Sequence, residues 1–338
     1  MNITIVSLWA QKLFRQEETQ PFGGAELQLV LLARALSQRP DVTVRMITRG
    51  QGAAESFLSD NIHVYKLPFR HRRETRSWLG AWDCLRACMN LPTDVLIQRG
   101  GGYETGITAF AARIRRIPFL FMTSSTWDVD GTHECHRGKL YGKTYLYGLR
   151  RSSALVTQTK NQYDLLLTRY GRNSTILRSA HPIPDQIPKD KRGVLWVGRC
   201  EPCKNPELFI AVAKNLTDIP CTMVCPPANL SEMYKKIETE AATVPSLRFL
   251  PGVSFEETEA LFATHKIMVN TSTQEGYPNT YVQSLKWGVP IVTAQFDPDE
   301  ILETHQMGIR TGNSEEFLTQ GVRDLLNEEE RWLTYSQN

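Results

Sequence analysis

Short apolar runs alternate along the chain with longer stretches whose apolar residues recur every three or four positions. ITIVSLW (3–9) is nearly continuous in apolar and small residues, as in a strand buried on both faces. Residues 23–39 follow, with Leu27, Val30, Leu31, Ala35 and Leu36 at helical spacing. VTVRMIT (42–48), DVLIQ (94–98), PFLFMTS (118–124) and ALVTQT (154–159) predict further strands, with a helix over about 105–115 between two of them. HPIPDQIPKDKRG (181–193) breaks the rhythm: its prolines and charges predict a linker and hinge. The pattern then restarts. Strands are predicted at 194–198, 221–225, 246–250, 267–272 and 290–295. Helices are predicted near 206–216, 230–243, 255–264 and 278–287. Repeated β-α-β units predict an α/β fold of two domains, 1–185 and 186–338. Each is a Rossmann-like parallel sheet covered by helices on both faces. In such sheets ligands bind outside the carboxyl ends of the strands, so two facing sheets would make a cleft. Chemistry is to be sought in the loops that follow strands.

Composition agrees with this division. The 338 residues are 41% hydrophobic and 22% charged, ordinary for a globular protein of two domains. No apolar run approaches the roughly 18 residues of a membrane span. The short apolar start, with no small-residue cleavage site, does not read as a signal peptide, so a cytoplasmic protein is expected. Seven cysteines, an odd number, argue for reduced thiols over a disulfide framework, and Cys200-x-x-Cys203 lacks a second pair at zinc spacing. The net charge of +3 conceals an asymmetry. Residues 1–185 carry 25 basic against 15 acidic residues, and residues 186–338 carry 14 against 21. A basic first half, with clusters at 69–76 and 113–116, suggests an anionic partner there: phosphate, or an anionic membrane touched peripherally. Neither cluster has the motif or interleaved aromatics of a nucleic-acid binder.

Four loops carry candidate chemistry. VGRCEPCKN (197–205) turns at Gly198 and presents Arg199 and Lys204, a planar fork and a point charge suited to a diphosphate. TSTQEGYPN (271–279) follows a strand and precedes a helix. Asn279 and Thr280 there place backbone N–H groups at a helix start, and Glu275 stands in the loop. A carboxylate so placed can hold sugar hydroxyls and stabilise positive charge at an anomeric carbon. Gln283 lies two turns into the same helix. FGGAE (22–26) offers Gly23 and Gly24 for close backbone approach at a helix start. QRGGGYETG (98–106) has no dinucleotide-binding spacing and is read as site lining, with Arg99 and Tyr103 as acceptor contacts. Taken singly, each loop is equally consistent with a solvated surface loop.

Taken in order, VGRCEPCK, EGYPNTYVQ and WGVPIV resemble the donor domain of retaining glycosyltransferase family 4, which has the two-domain GT-B fold. The resemblance covers most of 190–310, and PGVSFEETEALFATHKIMVN (251–270) resembles the intervening stretch. It implies that Arg199 and Lys204 bind the diphosphate of a nucleotide-sugar. Glu275 would touch the transferred sugar, aided by Gly276, Tyr277, Asn279 and Thr280. The family's second glutamate, which holds the ribose, is replaced here by Gln283. FGGAE is similar to the family's N-terminal glycine loop, placing Gly23 and Gly24 near the donor. The family's histidine after the strand at 118–124 has no counterpart. Asp128, Asp130, His133 and His136 come slightly later: Asp128 is the candidate base and His133 the candidate acceptor contact. The four have no zinc-type spacing, so no metal and no cofactor are expected beyond the nucleotide-diphosphate sugar itself. The family's closing C-terminal helix is expected to be short or absent. The implied activity is metal-independent, retaining transfer to a saccharide or lipid-linked hydroxyl, with a role in glycan biosynthesis. The competing readings are a non-catalytic nucleotide-sugar or glycan binder of the same fold, and a sugar-nucleotide epimerase.

Overall fold

The computed structural model describes residues 1–15, 22–69, 77–136, 138–228 and 231–338. The basic run at 69–76 lies, apart from Phe69, outside them. The chain divides into two compact units, Met1–Ala180 and His181–Asn338. The division precedes the expected 185/186 boundary because the proline-rich stretch packs on the second unit. The His181 ring lies near-parallel to Phe255, with centroids 6.3 Å apart. The Lys191 ammonium donates to the Ala263 carbonyl at 2.6 Å, and the Arg192 N–H to the Thr264 carbonyl at 2.9 Å.

In the first unit the strands are β1 (Asn2–Val6), β2 (Thr43–Gly50), β3 (Glu55–Ser59), β4 (Ile62–Pro68), β5 (Val95–Arg99), β6 (Phe119–Met122), β7 (Ala154–Thr157) and β8 (Thr175–Ile176). The helices are α1 (Gly24–Ser37), α2 (Ser77–Asn90), α3 (Tyr103–Arg115), α4 (Thr132–His136), α5 (Lys139–Arg151) and α6 (Lys160–Tyr170). The sheet order is β3-β4-β2-β1-β5-β6-β7-β8, and every pair is parallel except β3–β4. That hairpin turns on Asp60 and Asn61, both at positive φ (51° and 61°), the two-residue turn whose twist matches antiparallel strands. Alternate residues feed opposite faces. Ile5, Met46 and Ile97 pack with α1, while Val6, Ile47 and Leu96 pack with Phe119, Phe121 and Tyr145. Helices α3 and α5 approach closely because Gly106 and Gly148 lack side chains. A Cβ on Gly106 would lie 2.3 Å from the Thr144 carbonyl oxygen.

In the second unit the strands are β9 (Val194–Val197), β10 (Cys221–Val224), β11 (Leu247–Leu250), β12 (Ile267–Asn270), β13 (Ile291–Thr293) and β14 (Gly308–Arg310). The helices are α7 (Pro206–Asn215), α8 (Ser231–Ala241), α9 (Phe255–Thr264), α10 (Asn279–Lys286), α11 (Ile301–Thr304), α12 (Glu315–Asn327) and α13 (Glu329–Gln337). The sheet is parallel, in the order β11-β10-β9-β12-β13-β14. Helix α13 is tied to its own unit: the Trp332 indole donates to the Lys266 carbonyl at 2.9 Å, and the Ser336 hydroxyl to the Gly288 carbonyl at 2.7 Å.

Both sheets reverse their winding once, between β1 and β5 in the first unit and between β9 and β12 in the second. At such a switch point the loops leaving the two central strands diverge and open a crevice. Among the described residues no helix is long and apolar enough to cross a membrane.

Candidate active site

The second unit brings its predicted loops together at its switch point. After β9 the chain passes Gly198 and Arg199, makes a short 3-10 turn at Pro202–Lys204, and enters α7 through Asn205 in the left-handed region (φ 48°). The loop after β12 is bonded to it. The Trp196 indole donates to the Thr271 hydroxyl at 2.9 Å, which donates to the Lys204 carbonyl at 2.7 Å, and the Thr273 N–H meets the Cys203 carbonyl at 2.8 Å. These ties place the Lys204 ammonium against the Glu275 carboxylate as a partly buried ion pair. The Ser272 hydroxyl adds a 2.7 Å bond to the same carboxylate. Arg199 is exposed, and its guanidinium lies 3.2 Å from Glu201.

Helix α10 begins at Asn279, one residue after the extended Pro278, so the N–H groups of Asn279 and Thr280 lie in its first turn. Gly276 and Pro278 are buried beside Tyr277, and the side-chain amide oxygen of Asn279 is buried without a hydrogen-bond partner. Gln283 is 5% exposed. Its amide donates to Glu259 of α9 at 2.9 Å, the Trp287 indole donates to the same carboxylate at 2.9 Å, and Lys286 pairs with it at 2.5 Å. Burial works against the Glu259 charge. The bonds from Lys286, Gln283 and Trp287 outweigh it and hold the acid below the usual carboxylate range. Sequence reasoning missed Glu259. Its signal was available: it falls between Phe255 and Phe262 at helical spacing, on a face that packs inward.

In the first unit the loops after β5 and β6 are locked to each other by Asp128. One carboxylate oxygen accepts from the Gly101 N–H (2.7 Å) and from His133 Nε2 (3.0 Å). The other accepts from the Ser124 N–H (2.6 Å), the Ser124 hydroxyl (2.9 Å) and the Ser125 N–H (3.1 Å). Burial raises the acid's pKa, but His133 and the two N–H groups lower it more, so Asp128 stays ionised. With five donors and 1% exposure it has no lone pair left for a substrate proton. Asp128, the expected base, fixes two loops to each other in this structure. His133 is closed in as well. Its Nδ1 faces the Tyr141 hydroxyl at 3.3 Å and its ring packs on Tyr141 and Tyr145. A Cβ on Gly101 would overlap His133, lying 2.3 Å from Nε2, so this position must be glycine.

Tyr103 opens α3, and its hydroxyl accepts from Arg49 at 2.9 Å. Burial, then Glu104, pushes that phenol up to about 12. Gly23 precedes α1 with its N–H held by the Glu26 carboxylate at 2.8 Å, and Gly24 is the first residue of the helix. Arg99, the last residue of β5, is 9% exposed. Its partners are neutral. Gln158 meets its surroundings with its amide oxygen 2.6 Å from Arg99 Nη2 and 3.1 Å from the Ser179 hydroxyl, and its amide nitrogen 3.0 Å from the Ser124 carbonyl. Burial pulls the Arg99 pKa down to about 10, against the more distant Asp128 and Glu26 charges.

Among the described residues no three His, Cys, Asp or Glu side chains converge as a metal site. The cysteines are free thiols, and burial raises Cys200, Cys203, Cys221 and Cys225 above the usual thiol range.

Two α/β units, each a parallel sheet with one switch point, have the GT-B architecture, and family models assign the chain to the glycosyltransferases. The model described as glycosyl transferases group 1 matches residues 191–328, and that described as glycosyl transferase 4-like domain matches residues 23–178. Together they span nearly the whole chain, which belongs to this family of glycosyltransferases. No curated protein sequence matches it. Among solved structures, sucrose-phosphate synthase from Thermosynechococcus elongatus is similar over 100% of this chain and 92% of its own, with a TM-score of 0.74 and 14% identity. A TarM variant from S. aureus, in complex with fondaparinux, alpha-GlcNAc-glycerol and UDP, is similar over 76% of this chain and 54% of its own (TM-score 0.61, 15% identity). UDP-GlcNAc 2-epimerase from Neisseria meningitidis bound to UDP-GlcNAc is similar over 99% and 94% (TM-score 0.62, 11% identity). At these identities the likeness is one of fold.

Proposed function

We propose that the protein moves a sugar, with retention of configuration and without a divalent metal, from a nucleotide-diphosphate sugar to a hydroxyl acceptor. The observation that carries the reading is the Lys204–Glu275 pair at the β9–β12 switch point, beside the start of α10. Without ligand, Lys204 neutralises Glu275. An arriving diphosphate competes for the ammonium with more negative charge and leaves Glu275 to the sugar. The bond from the anomeric carbon to the diphosphate oxygen then breaks, with its electron pair leaving on the nucleotide. Lys204, Arg199 and the first-turn N–H groups of α10 stabilise that charge. The acceptor oxygen bonds to the anomeric carbon and its proton passes to the departing phosphate. Glu275 stabilises the positive charge at the carbon meanwhile. Fixed cations do the work a metal would do, which supports metal independence. The first unit holds 25 basic against 14 acidic residues, which supports an anionic saccharide or lipid-linked acceptor. It also supports peripheral contact with anionic membrane at the cytoplasmic face.

The test is a transfer assay across nucleotide-sugars, with the product anomer read by NMR and EDTA in a parallel arm. Retention and EDTA resistance are expected. Inversion, or activity lost to EDTA and restored by a divalent ion, overturns the reading. One observation favours a non-catalytic binder: Gln283 takes the family carboxylate's place and is buried on Glu259. That reading predicts nucleotide-sugar binding with no product from any acceptor.

A further inference from the structure

Arg99 is the unexplained charge of the first unit. It stands at the carboxyl end of β5, on the switch point between β1 and β5 where a parallel sheet opens its binding crevice. Two neighbouring structures converge there. Ser179, a partner of Arg99 at 3.3 Å, precedes Ala180, whose N–H and carbonyl are both bonded to Gln28 of α1 at 2.9 and 3.0 Å. The N-terminal part of α1, whose first turn Glu26 caps, is thereby tied to the residue that follows Ser179. On the other side, Gln158 links Arg99 to the Ser124 carbonyl in the loop that Asp128 locks.

A buried guanidinium normally meets a carboxylate, because removing its charge from water costs several kcal/mol. Arg99 makes no ion pair among the described residues, and its Nε is buried with no hydrogen-bond partner at all. Glu26 and Asp128 are near enough to be felt, but one caps a helix and the other is saturated by five donors. The cation is therefore held in place by neutral groups, at the carboxyl end of β5 beside the switch point, with its Nε left unbonded.

We propose that Arg99 is the anchor for an oxyanion on the acceptor, so that the acceptor of this enzyme carries a phosphoryl or carboxylate group beside the hydroxyl that is glycosylated. The planar fork of arginine matches either group in two parallel bonds. This rests on the transferase reading, with the donor in the second unit.

The experiment is a thermal-shift titration of the full chain at matched ionic strength. The probes are inorganic phosphate, glucose 6-phosphate and glucuronate, each with and without saturating UDP or GDP. A ligand of the folded state raises its melting temperature. We expect glucose 6-phosphate or glucuronate to stabilise the protein beyond the chloride control and in addition to the nucleotide. The oxyanion shift should disappear in Arg99→Gln and shrink in Arg99→Lys, while the nucleotide shift persists in both. Which probe wins tells phosphoryl from carboxylate. The proposal is overturned if no oxyanion stabilises the wild type. It is overturned equally if Arg99→Lys responds like the wild type, or if the oxyanion effect vanishes once nucleotide saturates, because Arg99 would then serve the donor diphosphate. The wild-type competition and Arg99→Lys decide the matter even if Arg99→Gln does not fold. A missing nucleotide shift, or one unchanged in Lys204→Ala, would count against the donor reading and leave the Arg99 result standing by itself.

Discussion

At the β9–β12 switch point a cation and a carboxylate meet: Lys204 and Glu275, with side chains 20% and 13% exposed. At the β1–β5 switch point the cation, Arg99, is more deeply buried and has hydroxyl and amide partners, while the nearby Asp128 is consumed by loop N–H groups and His133. The same place in two similar sheets is thus wired in opposite ways. A pair that neutralises itself can stay near solvent and exchange partners when a more strongly charged ligand arrives. A lone cation walled by neutral groups cannot rearrange cheaply, so it suits a fixed anchor. The second unit has the parts for a charge that changes during a reaction, and the first has the parts for a ligand held still.

If the first unit is the rigid one, its lock should be costly to remove. Asp128→Ala strands the Gly101, Ser124 and Ser125 N–H groups and His133. We expect a loss of about 3–5 kcal/mol in the stability of that unit, the usual cost of breaking a buried charged network. Urea unfolding followed by probes in each unit would show it. A loss below about 1 kcal/mol would mean the lock is decorative. Asp128→Asn, which keeps the shape and one acceptor oxygen, should fall between.

If the second unit is the reactive one, Glu275→Ala should lower kcat by about 100- to 1,000-fold, the range seen when one group aimed at transition-state charge is removed. Donor KM should change far less. Lys204→Ala should act on the donor instead, raising its KM by about 10- to 100-fold, as a lost charge-assisted bond of roughly 1.5–3 kcal/mol implies. Steady-state kinetics with the donor varied separates the two. Equal effects on both parameters in both variants would collapse the division of labour within the pair.

The reactive side of this comparison was the legible one, for a physical reason. Parallel strands buried on both faces read as continuous apolar runs, so their ends, and the loops that follow, are marked in the chain. Lys204, Glu275 and the helix start at Asn279 all sit within a few residues of such an end. What escaped was built from partners far apart. Glu259 lies 24 residues from Gln283, and Gln28 lies 152 residues from Ala180. The polar wall around Arg99 is Gln158 and Ser179, two ordinary residues with no motif. The β3–β4 hairpin escaped because Asp60 and Asn61 make its turn without the glycine that usually marks one. The 181–193 stretch looked like a linker from its prolines, yet its contacts with Phe255, Ala263 and Thr264 assign it to the second unit.

Gln283 tests how far charge may be added on the second side. Gln283→Glu would set a second carboxylate against Glu259. Two carboxylates sharing a site cannot both ionise comfortably, so one folded-state pKa rises above its unfolded value. The sign follows: the variant should be least stable relative to wild type near pH 8 and recover toward pH 5, where the pair shares a proton. A loss of about 1 kcal/mol at pH 8 is expected, read as the gap between the two melting curves. A donor KM lower than wild type at pH 8 would show instead that the introduced charge faces the ligand and that Gln283 is turned toward it.

The smallest effect concerns the histidine next to this network. His181 stacks on Phe255, and burial, then the Lys286 charge, lowers its pKa to about 4, against weaker help from Glu259 and Asn279. The unfolded chain takes up that proton near pH 6.5 and the folded one refuses it until about pH 4. The stability this histidine contributes is therefore complete above pH 6.5 and declines as the pH falls through that window. His181→Phe keeps the stacked ring and removes the proton. Its melting temperature should consequently fall less than that of wild type between pH 7 and pH 5. His265, also lowered by burial, will leave a residual slope in both proteins. Parallel curves would mean that His181 takes its proton in the folded state too. A cation would then stand beside Lys286 near the start of α10, and the second unit would hold more positive charge below pH 6.5 than the Lys204–Glu275 pair alone accounts for.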